Sequence, residues 1–162
     1  MSADPGEKVI VEETGKGKFQ VEARVGTTTI LIDEPVMAGG LGTGPNPYDL
    51  LASALGACTV MTIRMYAERK KWPLSRVRAQ VTHRRGTLEE RDIFTREISL
   101  EGELDDAQRA RLLDIAGRCP VHLTLHRGSV VETTLVPAIQ PAAIEPAMTC
   151  EHMKNMEEAC SP

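Results

Sequence analysis

Between Asn46 and Trp72-Pro73 the chain carries an uninterrupted stretch that reads only as one long helix. Asn46 is a good N-cap, Pro47 suits the first helical position, where its missing N–H costs nothing, and Asp49 lies three residues after the cap. Leu50, Ala54, Cys58, Met61 and Met65 recur along one stripe at helical spacing. Ala52, Ser53, Ala54, Gly56 and Ala57 keep the rod thin, so another backbone can approach it closely. In isolation Gly56 costs about 1 kcal/mol against alanine, which close packing offsets. Trp72-Pro73 ends the helix, because proline cannot continue it.

On either side the pattern changes to period two. Residues 9–34 read as a strand meander: Phe19, Val21, Ala23 and Val25 alternate with polar neighbours, and Thr28 to Ile32 makes a third strand. Gly15, Gly17 and Gly26 mark its turns. Residues 38–45 are too glycine-rich for regular structure and lack the context of a dinucleotide-binding loop. After the helix, Val77, Ala79, Val81 and His83 define a strand, and Ile93 to Leu100 its partner across a polar turn. Asp105 or Asp106 opens a second helix, Cys119-Pro120 interrupts it, Val121 to Leu125 adds a turn, and Val130 to Val136 reads as a last strand. The expected class is therefore α+β, with antiparallel sheets around a long central helix. Residues 1–136 form one domain, and 137–162 a proline- and alanine-rich linker with a short acidic tail.

Composition narrows the function. At 162 residues there is room for one real core. Phe19, Tyr48, Tyr66, Trp72 and Phe94 are the whole aromatic set, so part of the buried surface is expected from pairing with a second copy. A net charge of −4 gives no general attraction to polyanions. The basic run from Arg64 to Arg91 has only Tyr66 and Trp72 to stack on bases, and reads as a solvated face rather than a nucleic-acid surface. No apolar run approaches the about 20 residues that cross a bilayer, and the start lacks a signal-peptide core. A cytoplasmic location without a membrane partner is expected. Thiols are kept reduced there, so four cysteines point to catalysis, metal binding or packing before disulfides.

Cys58 sits on the apolar stripe of the long helix, and Cys119 at what reads as the cap of a new one. A helix N-terminus favours a thiolate, whereas a buried cysteine is also a good small hydrophobe; both readings stand. His122 is placed to lower a thiol pKa or hand over a proton, or else lies on the surface of a short helix. His83 and His126 have no partner that the sequence identifies. Cys150, His152 and Cys160, with Met148, Met153 and Met156 around them, are soft donors, but their spacing matches no standard zinc site. The expectation is no metal and a tail with two incidental thiols.

The run Gly44-Pro-Asn-Pro-Tyr-Asp-Leu-Leu-Ala-Ser-Ala-Leu-Gly-Ala-Cys58, followed later by Cys119-Pro-Val-His122, resembles the OsmC/Ohr family of osmotically inducible and organic-hydroperoxide-resistance proteins. The resemblance spans about residues 9–136 in element order. It implies an intertwined homodimer in which Cys58 attacks an organic hydroperoxide and Cys119 resolves the sulfenic acid as a disulfide. It also implies no cofactor, only an external thiol or dihydrolipoyl reductant. Walls from Tyr48, Leu51, Leu55 and Met61 would suit alkyl or fatty-acyl chains better than hydrogen peroxide.

The chain departs from the family at the groups that activate the thiolate. Tyr48 stands where family enzymes carry Glu after Asn-Pro, and residues 37–43 contain no Arg. Asp49, paired with Lys16, Lys18 or Arg24, is the available substitute, though an ammonium lacks the planar fork of Arg. Asp49 equally suits plain helix capping. Two other functions compete with the reductase: a dimeric ligand-binding or redox-sensing protein on the same fold, and a thiol relay using Cys150 and Cys160.

Overall fold

The computed structural model describes residues 8–137 and 151–161. It has an α+β architecture in two compact units, Met1–Pro47 with Val130–Glu151, and Tyr48–Ser129 with His152–Pro162.

The first unit is the expected meander. Strands β1 (Val9–Glu13), β2 (Val21–Val25) and β3 (Thr28–Ile32) pair antiparallel in chain order, with Val11, Ala23 and Ile30 in register. Phe19 falls outside β2, in the preceding turn. The β2–β3 turn needs Gly26, whose φ of 56° is left-handed. The loop that follows is organised by the buried Asp33 carboxylate, which accepts from the amides of Glu34, Leu41 and Thr43 and from the Thr43 hydroxyl. Burial alone would raise the Asp33 pKa, but these donors hold it below the ordinary carboxylate value. Gly44 is required by proximity, since a Cβ there would lie 2.2 Å from the Leu31 carbonyl oxygen.

Val130–Val136 is not the strand its β-branched residues suggest. It pairs with no strand among the described residues, and Val130 and Leu135 are 90% and 98% exposed. Strand propensity needs a ladder partner and a buried face, and this segment has neither among the described residues.

The second unit is built on helix α1 (Pro47–Lys70). A β4 (Leu74–Arg84) and β5 (Ile93–Gly102) hairpin follows, then α2 (Asp106–Ala116), α3 (Pro120–Arg127) and α4 (Glu151–Ala159). Lys71, at φ 55°, turns the chain out of α1, and Arg64 straps the exit by donating to the carbonyls of Leu74 and Ser75. Asp105, not Asp106, caps α2, in a reciprocal capping box with Gln108. Ile63, Tyr66, Ala67, Leu74, Leu112 and Ile115 form the main core of this unit.

Two sequence expectations change here. By length and composition α1 is apolar enough to cross a membrane, with mean hydropathy 1.4 over its most apolar window, of which 39% is buried in the protein. Small residues and threonines had hidden this apolarity from a search for long runs of large hydrophobes. The tail thiols are not both incidental either. Helix α4 packs on the second unit with Met156 1% and Cys160 4% exposed, whereas Cys150 lies outside the described residues.

Candidate thiol site

Four elements bring Cys58 and Cys119 together. Cys58 lies mid-way along α1, on the buried face that also carries Leu55, Thr59 and Thr62. Cys119 is the N-cap of α3, the position that Pro120 prepares by occupying the first helical turn. Strands β4 and β5 wall the pair through Val81 and Phe94, and α3 adds Val121 and Leu125. Both sulfurs are enclosed, Cys58 at 2% and Cys119 at 0% exposure. Cys58, Cys119 and Cys160 are free thiols.

The thiols lie in one buried cluster, and their surroundings are unequal. Cys119 Sγ accepts from the His122 amide at 3.4 Å, lies 3.8 Å from Thr59 Oγ1, and has Arg96 Nη1 at 3.9 Å. The Cys58 hydrogen bond, these donors and the guanidinium outweigh burial and draw Cys119 down to about 6. Cys58 is pushed up, first because it donates to Cys119 and then because it is buried; the Val121 amide at 3.5 Å only partly opposes this. The pair thus releases one proton readily and holds the second, the behaviour of two coupled acids.

Arg96 is the residue that sequence reasoning missed. It also donates to Thr59 Oγ1 at 2.7 Å and to the Ala116 carbonyl at 3.1 Å. Its signal lay in β5, where Phe94, Arg96, Ile98 and Leu100 occupy the less exposed alternate positions. An arginine in a period-two apolar series implies a buried partner for its charge. His152, weighed in the sequence only as a soft metal donor, lies elsewhere than that reading placed it: its Nε2 is 3.3 Å from Cys58 Sγ.

The other expected residues scatter. Leu55 lines the thiol cluster. Tyr48 and Leu51 border a neighbouring hollow with Phe94 and Leu125, whereas Met61 and Asp49 border a different one. Asp49 is exposed in the first turn of α1. Lys16 is exposed in the turn before β2, Lys18 lies over the Phe19 ring, and Arg24 is committed to Glu12 and Glu22. The His122 ring stacks on His126, and burial, with Arg96 and His126 nearby, lowers its pKa. His83 has partners after all, stacking on Tyr48 and bonding Asp92 at 2.6 Å. Cys160 faces the Thr62 carbonyl at 3.7 Å while His152 reaches Cys58. No group of three potential metal ligands occurs among the described residues.

Residues 40–134, more than half of the chain, match the family model described as OsmC-like protein. Solved structures share the fold. An OsmC-like protein from Mycoplasma pneumoniae is 20% identical, with a TM-score of 0.63 over 76% of this chain and 89% of that one. An organic hydroperoxide resistance protein OsmC from Legionella pneumophila is 24% identical, with a TM-score of 0.55 over 73% and 88%. The organic hydroperoxide resistance protein OhrB of Bacillus subtilis is 21% identical, with a TM-score of 0.52 over 74% and 90%. No curated protein matches the chain significantly.

Proposed function

Because the chain belongs to the OsmC-like protein family, we propose that it reduces organic hydroperoxides through Cys58 and Cys119 in a stress-defence role. The observation that carries this reading is the enclosed thiol pair of Cys58 and Cys119 with a guanidinium against one sulfur. A thiolate attacks the terminal peroxide oxygen, the O–O bond breaks, and an alcohol leaves. The second thiol then condenses with the sulfenic acid, water departs, and a disulfide forms before over-oxidation. An external thiol or dihydrolipoyl group restores both thiols. The apolar lining by Leu55, Val81, Phe94 and Leu125 favours an alkyl or acyl hydroperoxide over hydrogen peroxide. The working form in this reading is a cytoplasmic homodimer, consistent with the small-residue face of α1 and the exposed Val130–Val136 segment.

Family resemblance assigns attack to Cys58 and resolution to Cys119. The electrostatics favour a second reading with the roles exchanged, since Arg96 and the His122 amide serve Cys119. Peptide mapping after one equivalent of cumene hydroperoxide tests both. A Cys58–Cys119 disulfide is expected in the wild type. Under the first reading Cys58→Ser is inert, and Cys119→Ser turns over once and accumulates sulfenic or sulfinic acid at Cys58. Exchanged roles give the mirror result. Loss of activity in neither variant overturns the thiol assignment, and an inert wild type leaves a binding or sensing protein.

A further inference from the structure

Cys58 attacks only if its proton has somewhere to go, and Arg96 serves the other sulfur. Among the described residues, the titratable group in contact with Cys58 apart from Cys119 is His152 of α4, at 3.3 Å. Its placement is fixed by packing. Met156, one turn on, is 1% exposed, Cys160 a turn further faces the Thr62 carbonyl, and Arg69 donates to the Glu157 carbonyl. His152, Met156 and Cys160 therefore make one stripe of contacts, registered on Cys58 and Thr62 of α1. The other groups around the pair are Cys119, His122 and the Val121 amide from α3, and Arg96 from β5.

Resting on the reading of Cys58 as the attacking thiol, we propose that His152 is a catalytic residue that accepts the Cys58 proton and returns it to the leaving alkoxide. The proton passes from Sγ to Nε2. The thiolate electron pair forms an S–O bond to the terminal oxygen of the peroxide as the O–O bond breaks. Sulfur loses two electrons, the peroxide gains them, and the alkoxide takes the imidazolium proton to leave as the alcohol. One thiol and one hydroperoxide thus become one sulfenic acid and one alcohol.

The test follows iodoacetamide labelling of Cys58 by peptide mass spectrometry across pH, in reduced full-length wild type, His152→Gln and His152→Ala. His152→Gln is expected to slow labelling at neutral pH, about tenfold for each unit by which the thiol ionisation rises. Added imidazole should restore His152→Ala. A helix that merely covers the sulfur gives the opposite, faster labelling in both variants and indifference to imidazole, and that result overturns the proposal. Consumption of cumene hydroperoxide separates this inference from the function it rests on. An inert wild type whose labelling still depends on His152 refutes the reductase and keeps the Cys58–His152 proton pair. An active wild type, matched by His152→Gln in rate and pH profile, refutes the role of His152 and keeps the reductase.

Discussion

Arg96 and Cys119 meet with guanidinium nitrogen and sulfur 3.9 Å apart, and the Thr59 hydroxyl contacts both. The family arrangement of Glu after Asn-Pro with a paired Arg is missing from the sequence, yet a planar cation still reaches the thiol pair. It comes from a different element, β5, and a single guanidinium nitrogen, Nη1, donates to a carbonyl and a hydroxyl while facing the sulfur.

Replacing that cation should move the pair's titration. In the wild type the thiolate ultraviolet absorbance is expected to rise through about pH 6 as the first proton leaves, with the second retained far above it. Arg96→Met should push the first step upward and slow peroxide reduction at neutral pH. The lost hydrogen bonds to Ala116 and Thr59 should cost about 1–3 kcal/mol in urea unfolding. An unchanged titration would show that the guanidinium is structural.

Helix α4 should contribute to stability as well as to chemistry. Met156→Ala empties a fully buried site and is expected to cost about 2–5 kcal/mol, read as a lower urea midpoint at constant slope. A neutral result would mean that α4 does not pack in solution.

Asp33 gives the first unit a dependence on pH. Its carboxyl titrates below the ordinary value in the fold, so the stability it contributes is present above the unfolded value and lost as pH falls through the folded one. Asp33→Asn should remove this acid-side loss. Urea unfolding as a function of pH would reveal it as a flatter acid limb.

Assembly is open to a direct measurement. Sedimentation should give twice the 17.7 kDa chain mass, and Met61→Arg, on the exposed side of α1, should shift the population toward monomer. A compact wild-type monomer at micromolar concentration would refute the dimer.

Elements that carry local signals were legible in the sequence. The proline that opens α1 at Pro47, the alternation in β2 and β4, and the cap at Asp105 all act within a few residues and leave a pattern. Cys58 and Cys119 were legible because a resemblance linked them; spacing alone does not place two distant thiols together. Arg96 was not found and His152 was weighed only as a metal donor, because each meets the thiols only when a strand or a terminal helix docks on α1. Val130–Val136 failed for the converse reason: its residues favour a strand, but it joins no sheet edge among the described residues.

A hydroxyl has a single proton, and Thr59 has more than one claimant for it. Thr59 Oγ1 donates to the Leu55 carbonyl at 2.6 Å while accepting from Arg96, which leaves only a lone pair for a protonated Cys119. Once that sulfur is ionised it accepts hydrogen bonds and no longer donates, and a hydroxyl that turns its proton to the sulfur gives up the Leu55 carbonyl. The charge on Cys119 is thereby coupled to a side-chain hydrogen bond on α1, beside Cys58, and the rotamer of the Thr59 hydroxyl becomes a reporter of that charge.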